Sequence, residues 1–339
     1  MKGQRRWSDE GMNIRRKLLI ALGTAALVAP FAVLAQQKGK VWRIGFLGAT
    51  SASGLAGRVD ALRAGLRDLG YVEGKNIAIE FRWAEEKYER LPQLAAELVR
   101  LKVDVIVSHG GAGTLAAKSA TTIIPIVMAS SGDPVALGLV ASLARPGGNV
   151  TGMAGFGSEG TAKRLELLRD AFPRTRQVAV LLNPDNPGNI KNVIPAMETA
   201  AKSLKLELQQ FPVRGPGEFE SAFAAMAKRR VDAVVTTDDG VFIVNAGAIA
   251  KLAARMRLPS IGLPEFAEAG GLMAYGADRR ELFRRSAYFV DRVFKGAKPG
   301  DLPVEQATRF ETVLNQKTAK ALGLQFPERV LARADRVIE

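Results

Sequence analysis

The chain of 339 residues contains no cysteine. Disulfides, thiolate metal sites, a cysteine nucleophile and a lipid-modified cysteine anchor are therefore all excluded. It has one histidine, His109, and both a zinc site and a Ser-His-Asp triad depend on imidazole, so most hydrolase chemistry drops out with it. Tryptophan is scarce too, at 3 residues. What remains is globular in proportion: 47% hydrophobic and 24% charged, with 34 Gly and 16 Pro. These values exclude a disordered, collagen-like or coiled-coil chain. A chain this long buries ample core and commonly divides it between two domains.

Forty-eight Lys and Arg against 34 Asp and Glu give a net charge of +14. Residues 1–35 hold six basic and two acidic side chains, so they carry +4 of it and leave +10 on the rest. A nucleic-acid partner would want basic residues clustered with aromatics. Instead the pairs Arg229-Arg230, Arg279-Arg280 and Arg284-Arg285 lie in amphipathic, helix-like stretches and read as solvated helix faces, so no nucleic acid is expected. Near the start, Arg15-Arg16-Lys17 precedes the apolar residues 18–34, which end Val33-Leu34-Ala35. A basic segment, an apolar run and small residues before a cleavage point make up a secretory signal peptide, expected over residues 1–35. The apolar run is 17 residues and includes Gly23, Thr24 and Pro30, short against the roughly 20 apolar residues a bilayer span needs. Met12 is a second possible start, and the arginine pair also fits a twin-arginine export signal. Either route predicts an exported protein in the periplasm.

From residue 41 the chain alternates short β-rich apolar runs with stretches of helical period, the signature of parallel α/β sheets. Strands are predicted at 41–47, 77–83 (an edge strand by its alternation), 103–107 and 124–128, with helices between them. The run Arg145-Pro146-Gly147-Gly148-Asn149 is the strongest punctuation, and the same grammar restarts beyond it. The second half predicts strands at 178–182, 207–213, 233–236, 259–262 and 272–275, a helix at 280–294 and a tail of helix-like pieces. Two similar α/β halves suggest two lobes: residues 41–153 with 277–308, and 154–276 with 309–339. Open α/β sheets bind ligands beyond the C-terminal ends of their strands, so the residues there are the ones to inspect.

In the first half those ends carry hydroxyls and glycine-exposed N–H groups: Thr50-Ser51, then Ser108-His109-Gly110-Gly111 running to Thr114, then Ser130-Ser131-Gly132-Asp133. Such a surface suits a carboxylate or another small anion. The second half supplies Asn183-Pro184-Asp185-Asn186, Asp238-Asp239 and Glu265, which suit an ammonium or hydroxyl groups. A zwitterion could bridge the two. The candidate ligand-binding residues are thus Thr50, Ser51, His109, Gly110, Gly111, Thr114, Ser131, Asp133, Asn183, Asp238 and Glu265. Turns and helix caps use the same residue types, so the weight rests on several polar strand ends meeting at one cleft. Asp238-Asp239 have no acid-base partner or nucleophile beside them, so no catalytic residue and no enzyme activity are expected. Gly155-Phe156-Gly157-Ser158-Glu159-Gly160 fits a dinucleotide fingerprint, leaving an exported NAD(P)-dependent oxidoreductase as an alternative. Against it, residues 149–153 are too short and polar for the buried strand such a unit begins with. No cofactor and no metal are expected.

The mature chain resembles the substrate-binding components of ABC importers with the type I periplasmic-binding fold, in the branch that includes tryptophan- and tyrosine-binding members. The resemblance spans residues 42–338. It is carried by Ala64-Gly65-Leu66-Arg67-Asp68-Leu69-Gly70-Tyr71, Gly132-Asp133-Pro134-Val135, the Arg145–Asn149 run with its following Val150-Thr151-Gly152, and the tail Asn315-Gln316-Lys317-Thr318-Ala319-Lys320-Ala321-Leu322-Gly323-Leu324. It implies two Rossmann-like lobes joined by crossover strands, a small-molecule ligand held between them, and delivery to an inner-membrane permease with a cytoplasmic ATPase. A monomer is expected, and a sensory receptor for a membrane kinase would share the same shape. The contacts it implies come from the loops holding Thr50, Ser51, residues 109–114, Ser131, Asn183 and Asp238. Here Ser108-His109-Gly110-Gly111 departs from the Gly-Thr of the resembling proteins, which counts against an aromatic amino acid. Only Trp42 and Trp83 lie beyond the leader, which counts against a sugar stacked on aromatic rings.

Overall fold

The computed structural model describes residues 40–155 and 158–339. The expected leader and Phe156-Gly157 lie outside the described residues. Two sheets organise the remainder. The first contains β1 (Trp42–Gly48), β2 (Ile77–Trp83), β3 (Val105–His109), β4 (Ile126–Ser131), β5 (Val150–Ala154) and, from far along the chain, β11 (Glu305–Gln306), in the order β11-β5-β4-β3-β1-β2. Every pairing in it is parallel. The second contains β6 (Gln177–Leu182), β7 (Glu207–Pro212), β8 (Ala233–Thr236), β9 (Ser260–Gly262), β10 (Met273–Ala277), β12 (Phe310–Asn315) and β13 (Arg336–Ile338), in the order β13-β12-β10-β9-β8-β6-β7. Only β10 with β12 is antiparallel there.

Helices cover both faces of each sheet, as parallel sheets require. Those used below are α1 (Ala52–Asp68), α2 (Leu91–Arg100), α3 (Gly110–Ala120), α4 (Ser158–Ala171), α5 (Ile194–Leu204), α6 (Phe219–Lys228), α7 (Gly240–Val244), α8 (Ala246–Arg255), α9 (Pro264–Glu268), α10 (Arg279–Phe294), α11 (Gln316–Leu322) and α12 (Glu328–Leu331). Successive strand residues point to opposite faces. In β3, Val105 and Val107 join Ile44, Phe46, Val59, Leu66 and Phe283 under α1 and α10, while Ile106 joins Leu94, Leu98 and Ala117 under α2 and α3. In the second sheet Val178, Val180 and Leu182 face α4 and α5, whereas Ala179 and Leu181 face α6 and α8. Each sheet thus has two apolar layers, which explains why its central strands read as unbroken hydrophobic runs.

Two expectations change. The tail is not made of helical pieces alone, since β11, β12 and β13 lie within it. β12 reads Phe-Glu-Thr-Val-Leu-Asn, mixed polarity whose strand character comes from pairing with β10 and β13 on either side. Residues 149–153 are also not too polar for a buried strand. All five residues of β5 are buried between β4 and β11, and the Thr151 hydroxyl donates to the Leu302 carbonyl at 2.7 Å, which removes the cost of burying it. Among the described residues, no helix is long and apolar enough to cross a membrane.

Candidate functional site

A cavity of about 80 Å³ lies where the C-terminal strand ends of the two sheets face each other. The first lobe contributes Tyr88, His109, Gly110, Gly111, Ser130, Ser131 and Asp133; the second contributes Ser158, Asn186, Asn189, Asn192, Asp238 and Asp239; Arg279 begins α10. Local irregularity aims several of these groups. The β3–β4 register shifts at Ser108/His109 and the β4–β5 register between Met128 and Ser131, and such bulges turn side chains out of the ladder at strand ends. On the opposite wall, Asn189–Val193 is a π-helical turn leading into α5, a widened turn that presents Asn189 and Asn192 to the cavity.

Six of the eleven candidates line this space: His109, Gly110, Gly111, Ser131, Asp133 and Asp238. The other five stand elsewhere. Thr50 is fully buried just behind the wall, Ser51 caps α1 by accepting from the Gly54 amide at 3.3 Å, and Thr114 is bonded to Ser108 (2.8 Å) and the Gly110 carbonyl (2.9 Å). Asn183 donates to Asp239 and accepts from the Asp185 amide. Glu265 is paired with Arg58 of α1.

Charge is organised around Asp238. Arg164, 1% exposed and donating to the Tyr275 and Thr236 carbonyls, reaches Asp238 at 2.6 Å, and Arg279 reaches it at 2.8 Å. Burial works against the carboxylate, but Arg164 and then Arg279 outweigh it and hold Asp238 below the ordinary range. Asp239 behaves oppositely: burial pushes it up despite hydrogen bonds from Asn186, Asn183, the Val241 amide and Tyr88. His109, 5% exposed, is lowered to about 3 by burial and then by Arg58 and Arg279, so it is neutral at physiological pH. Its Nδ1, the Ser131 hydroxyl, Asn192 Nδ2 and Arg279 Nε are buried without hydrogen-bond partners. Such groups are costly unless something satisfies them. Among the described residues, no three His, Cys, Asp or Glu are placed to hold a metal ion.

The lobes touch directly around the cavity. Tyr88 donates to Asp239 at 3.2 Å, Asn245 to Glu86 at 3.0 Å, and Arg58 pairs with Glu265. A Cβ on Gly240 would sit 2.6 Å from Thr50 Cγ2, and one on Gly54 2.1 Å from Val244 Cγ1, so the walls close to contact there only because both are glycine.

The expectation that Arg279 lies on a solvated helix face is corrected by its ion pair with Asp238, 41 positions away. Nothing local announces that partner, nor Tyr88, whose acceptor is 151 positions away. The asparagines were visible in principle. Asn186, Asn189 and Asn192 repeat every third residue, a spacing that puts them on one side of a helical turn.

Known proteins resemble the chain along almost all of it. The model of the ABC transporter substrate binding protein family matches residues 43–338. A tyrosine-binding protein of Clostridioides difficile (strain R20291) is 30% identical over 261 residues, covering 77% of this chain and 74% of that protein. An ABC domain from Streptococcus pneumoniae in complex with L-Trp superposes with a TM-score of 0.81 at 27% identity, over 88% of this chain and 99% of that one. The ligand-free, open structure of a Clostridium difficile substrate binding protein gives 0.62 at 24% identity, over 88% and 99%. A leucine binding protein from Thermotoga maritima, 13% identical with a TM-score of 0.58 over 83% and 87%, shares the type I periplasmic-binding architecture alone. With two parallel-sheet lobes meeting at a polar cavity and the family's pattern running from residue 43 to 338, the chain belongs to the ABC transporter substrate-binding proteins.

Proposed function

We propose that this protein is the extracytoplasmic receptor of an ABC importer. It captures a small polar or zwitterionic solute, amino-acid-like or a carboxylate, between its lobes and carries it to an inner-membrane permease with a cytoplasmic ATPase. The observation that carries this reading is the cavity itself: walls from both sheets, closed by contacts between lobes, and lined by buried polar atoms that lack protein partners. Relatives that bind tyrosine and L-Trp support an amino-acid-sized ligand. In this reading the lobes are residues 41–153 with 277–308 and 154–276 with 309–339, and the protein works as a monomer. The leader-like residues 1–35 support export to the periplasm.

The mechanism is a shift of population. A solute touches both walls only when the lobes are together, so binding favours the closed form by its differential affinity for that form. The better superposition on the L-Trp complex than on the open ligand-free relative, 0.81 against 0.62, supports assigning the present conformation to the closed form. Membership of a family of binding proteins removes the oxidoreductase alternative. The Gly155–Gly160 fingerprint follows β5, which lies inside the first sheet beside β4.

Calorimetry against amino acids, carboxylates and amides, paired with small-angle scattering, tests the reading. One class of solute is expected to bind at one site per chain and to reduce the radius of gyration. If no solute binds or compacts the protein, the receptor function is refuted.

A further inference from the structure

We infer that the cleft selects a small carboxylate bearing no ammonium group, a deaminated acid rather than an α-amino acid. This rests on the receptor reading above and narrows its ligand.

The donors come first. α3, 11 residues long, starts at the cavity with Gly110, Gly111 and Ala112, and its N-cap residue His109 makes no side-chain cap hydrogen bond. The first-turn N–H groups of a helix have no intrahelical acceptors and carry its positive end. An independent observation marks the same spot. Ser131, 3% exposed, and His109, 5% exposed, both line the cavity with an unpartnered polar atom, the hydroxyl and Nδ1. Asn192 Nδ2 and Arg279 Nε are unpartnered donors in the same lining, and the Ser131 hydroxyl can donate beside them. A carboxylate is the group that answers such a set.

An ammonium would need the reverse, and the acceptors are already occupied. Asp238 Oδ2 takes the Arg279 bond, and Oδ1, which accepts no aligned hydrogen bond, is held in an ion pair with Arg164 at 2.6 Å. The charge of Asp238 is thus met by two guanidiniums from the protein itself. Asp239 Oδ1 receives Asn183 and the Val241 amide, Oδ2 receives Asn186, and the Tyr88 hydroxyl spans both oxygens. Asp133 accepts the Val135 and Ala136 amides on Oδ1. Its Oδ2 accepts no hydrogen bond, but the residue is half-buried at the rim rather than enclosed. An amino acid held by its carboxylate here would bury an ammonium away from any free enclosed carboxylate, with only Asp133 at the rim to face it, and that burial is costly.

Matched probes test this by calorimetry on the wild-type protein: L-Trp, indole-3-propionate and tryptamine; L-Tyr, 3-(4-hydroxyphenyl)propionate and tyramine; L-Leu, 4-methylpentanoate and isopentylamine. In at least one set the acid is expected to bind about tenfold or more tighter than the amino acid, a gap of roughly 1.4 kcal/mol, with the amine not binding. Ser131→Ala is expected to weaken the acid by about tenfold, the scale of a hydrogen bond to a charged group. An amino acid that binds as tightly as its acid, or that loses affinity in Asp133→Asn, overturns the inference and leaves the receptor function standing. If no probe binds and no solute of the wider screen compacts the protein, both fall together.

Discussion

His109 shows how much a single buried side chain can report. Enclosed with Arg58 and Arg279 nearby, its imidazole is lowered to about 3, against about 6.5 for an unhindered histidine. The unfolded chain therefore takes up a proton as pH drops below about 6.5 while the folded protein does not. The stability tied to a neutral His109 is complete above that pH, declines as pH falls, and levels out near 3. Between pH 6 and pH 5 the loss amounts to about 1 kcal/mol. Asp239, pushed upward by burial, titrates with the opposite sign, so the useful readout is a difference between proteins. Urea titrations of the wild type and His109→Gln at both pH values should show this decline shrinking by about 1 kcal/mol in the variant. Equal slopes would mean that the ring is solvated. Thr114 makes a complementary point. Its hydroxyl is used by Ser108 and the Gly110 carbonyl, so a hydroxyl within α3 ties the start of that helix to the end of β3 instead of facing the cavity.

Among the elements, α1 and α7 meet across the cleft at Gly54 and Val244. A methyl group at Gly54 would fall 2.1 Å from Val244 Cγ1 and 2.9 Å from its Cβ, and the overlap exists only when the lobes are together. Gly54→Ala therefore burdens the closed form alone, by about 1–3 kcal/mol of overpacking. Affinity for the solute found by calorimetry should drop roughly five- to a hundredfold. Thermal stability of the unliganded protein should hold or rise slightly, because alanine favours helix over glycine. Unchanged affinity would show that α1 and α7 do not meet in the bound state.

For the whole molecule, the proposed closure would rest on a few bonds between the two walls, Tyr88–Asp239, Asn245–Glu86 and Arg58–Glu265 among them. The Tyr88 ring packs against core residues of both lobes while its hydroxyl bonds Asp239. Tyr88→Phe keeps the ring and deletes the donor, which removes about 1–3 kcal/mol from the closed form, the range for a buried acceptor losing a partner. Solute binding should weaken roughly five- to a hundredfold, with the unfolding transition of the unliganded protein little altered. A variant that binds as well as the wild type would show that Tyr88 is not a latch.

Alternating β-rich and helical runs, the strand ends at Ser131 and Asp238, and the likeness to importer receptors were all written in the chain. Periods of 2 and 3.6 residues are properties of neighbouring positions, and parallel strands buried on both faces have to be apolar throughout. β12 escaped because its mixed composition becomes a strand only beside β10, and β5 because its threonine is satisfied by a carbonyl some 150 positions later. The same limit governs the site. Which polar groups at the strand ends remain open to a solute depends on which are used by one another, as Asp238 is by Arg164 and Arg279 and Asp239 by Tyr88. Those pairings join residues 41 to 151 positions apart, and they exist only once both sheets have formed and brought their ends face to face.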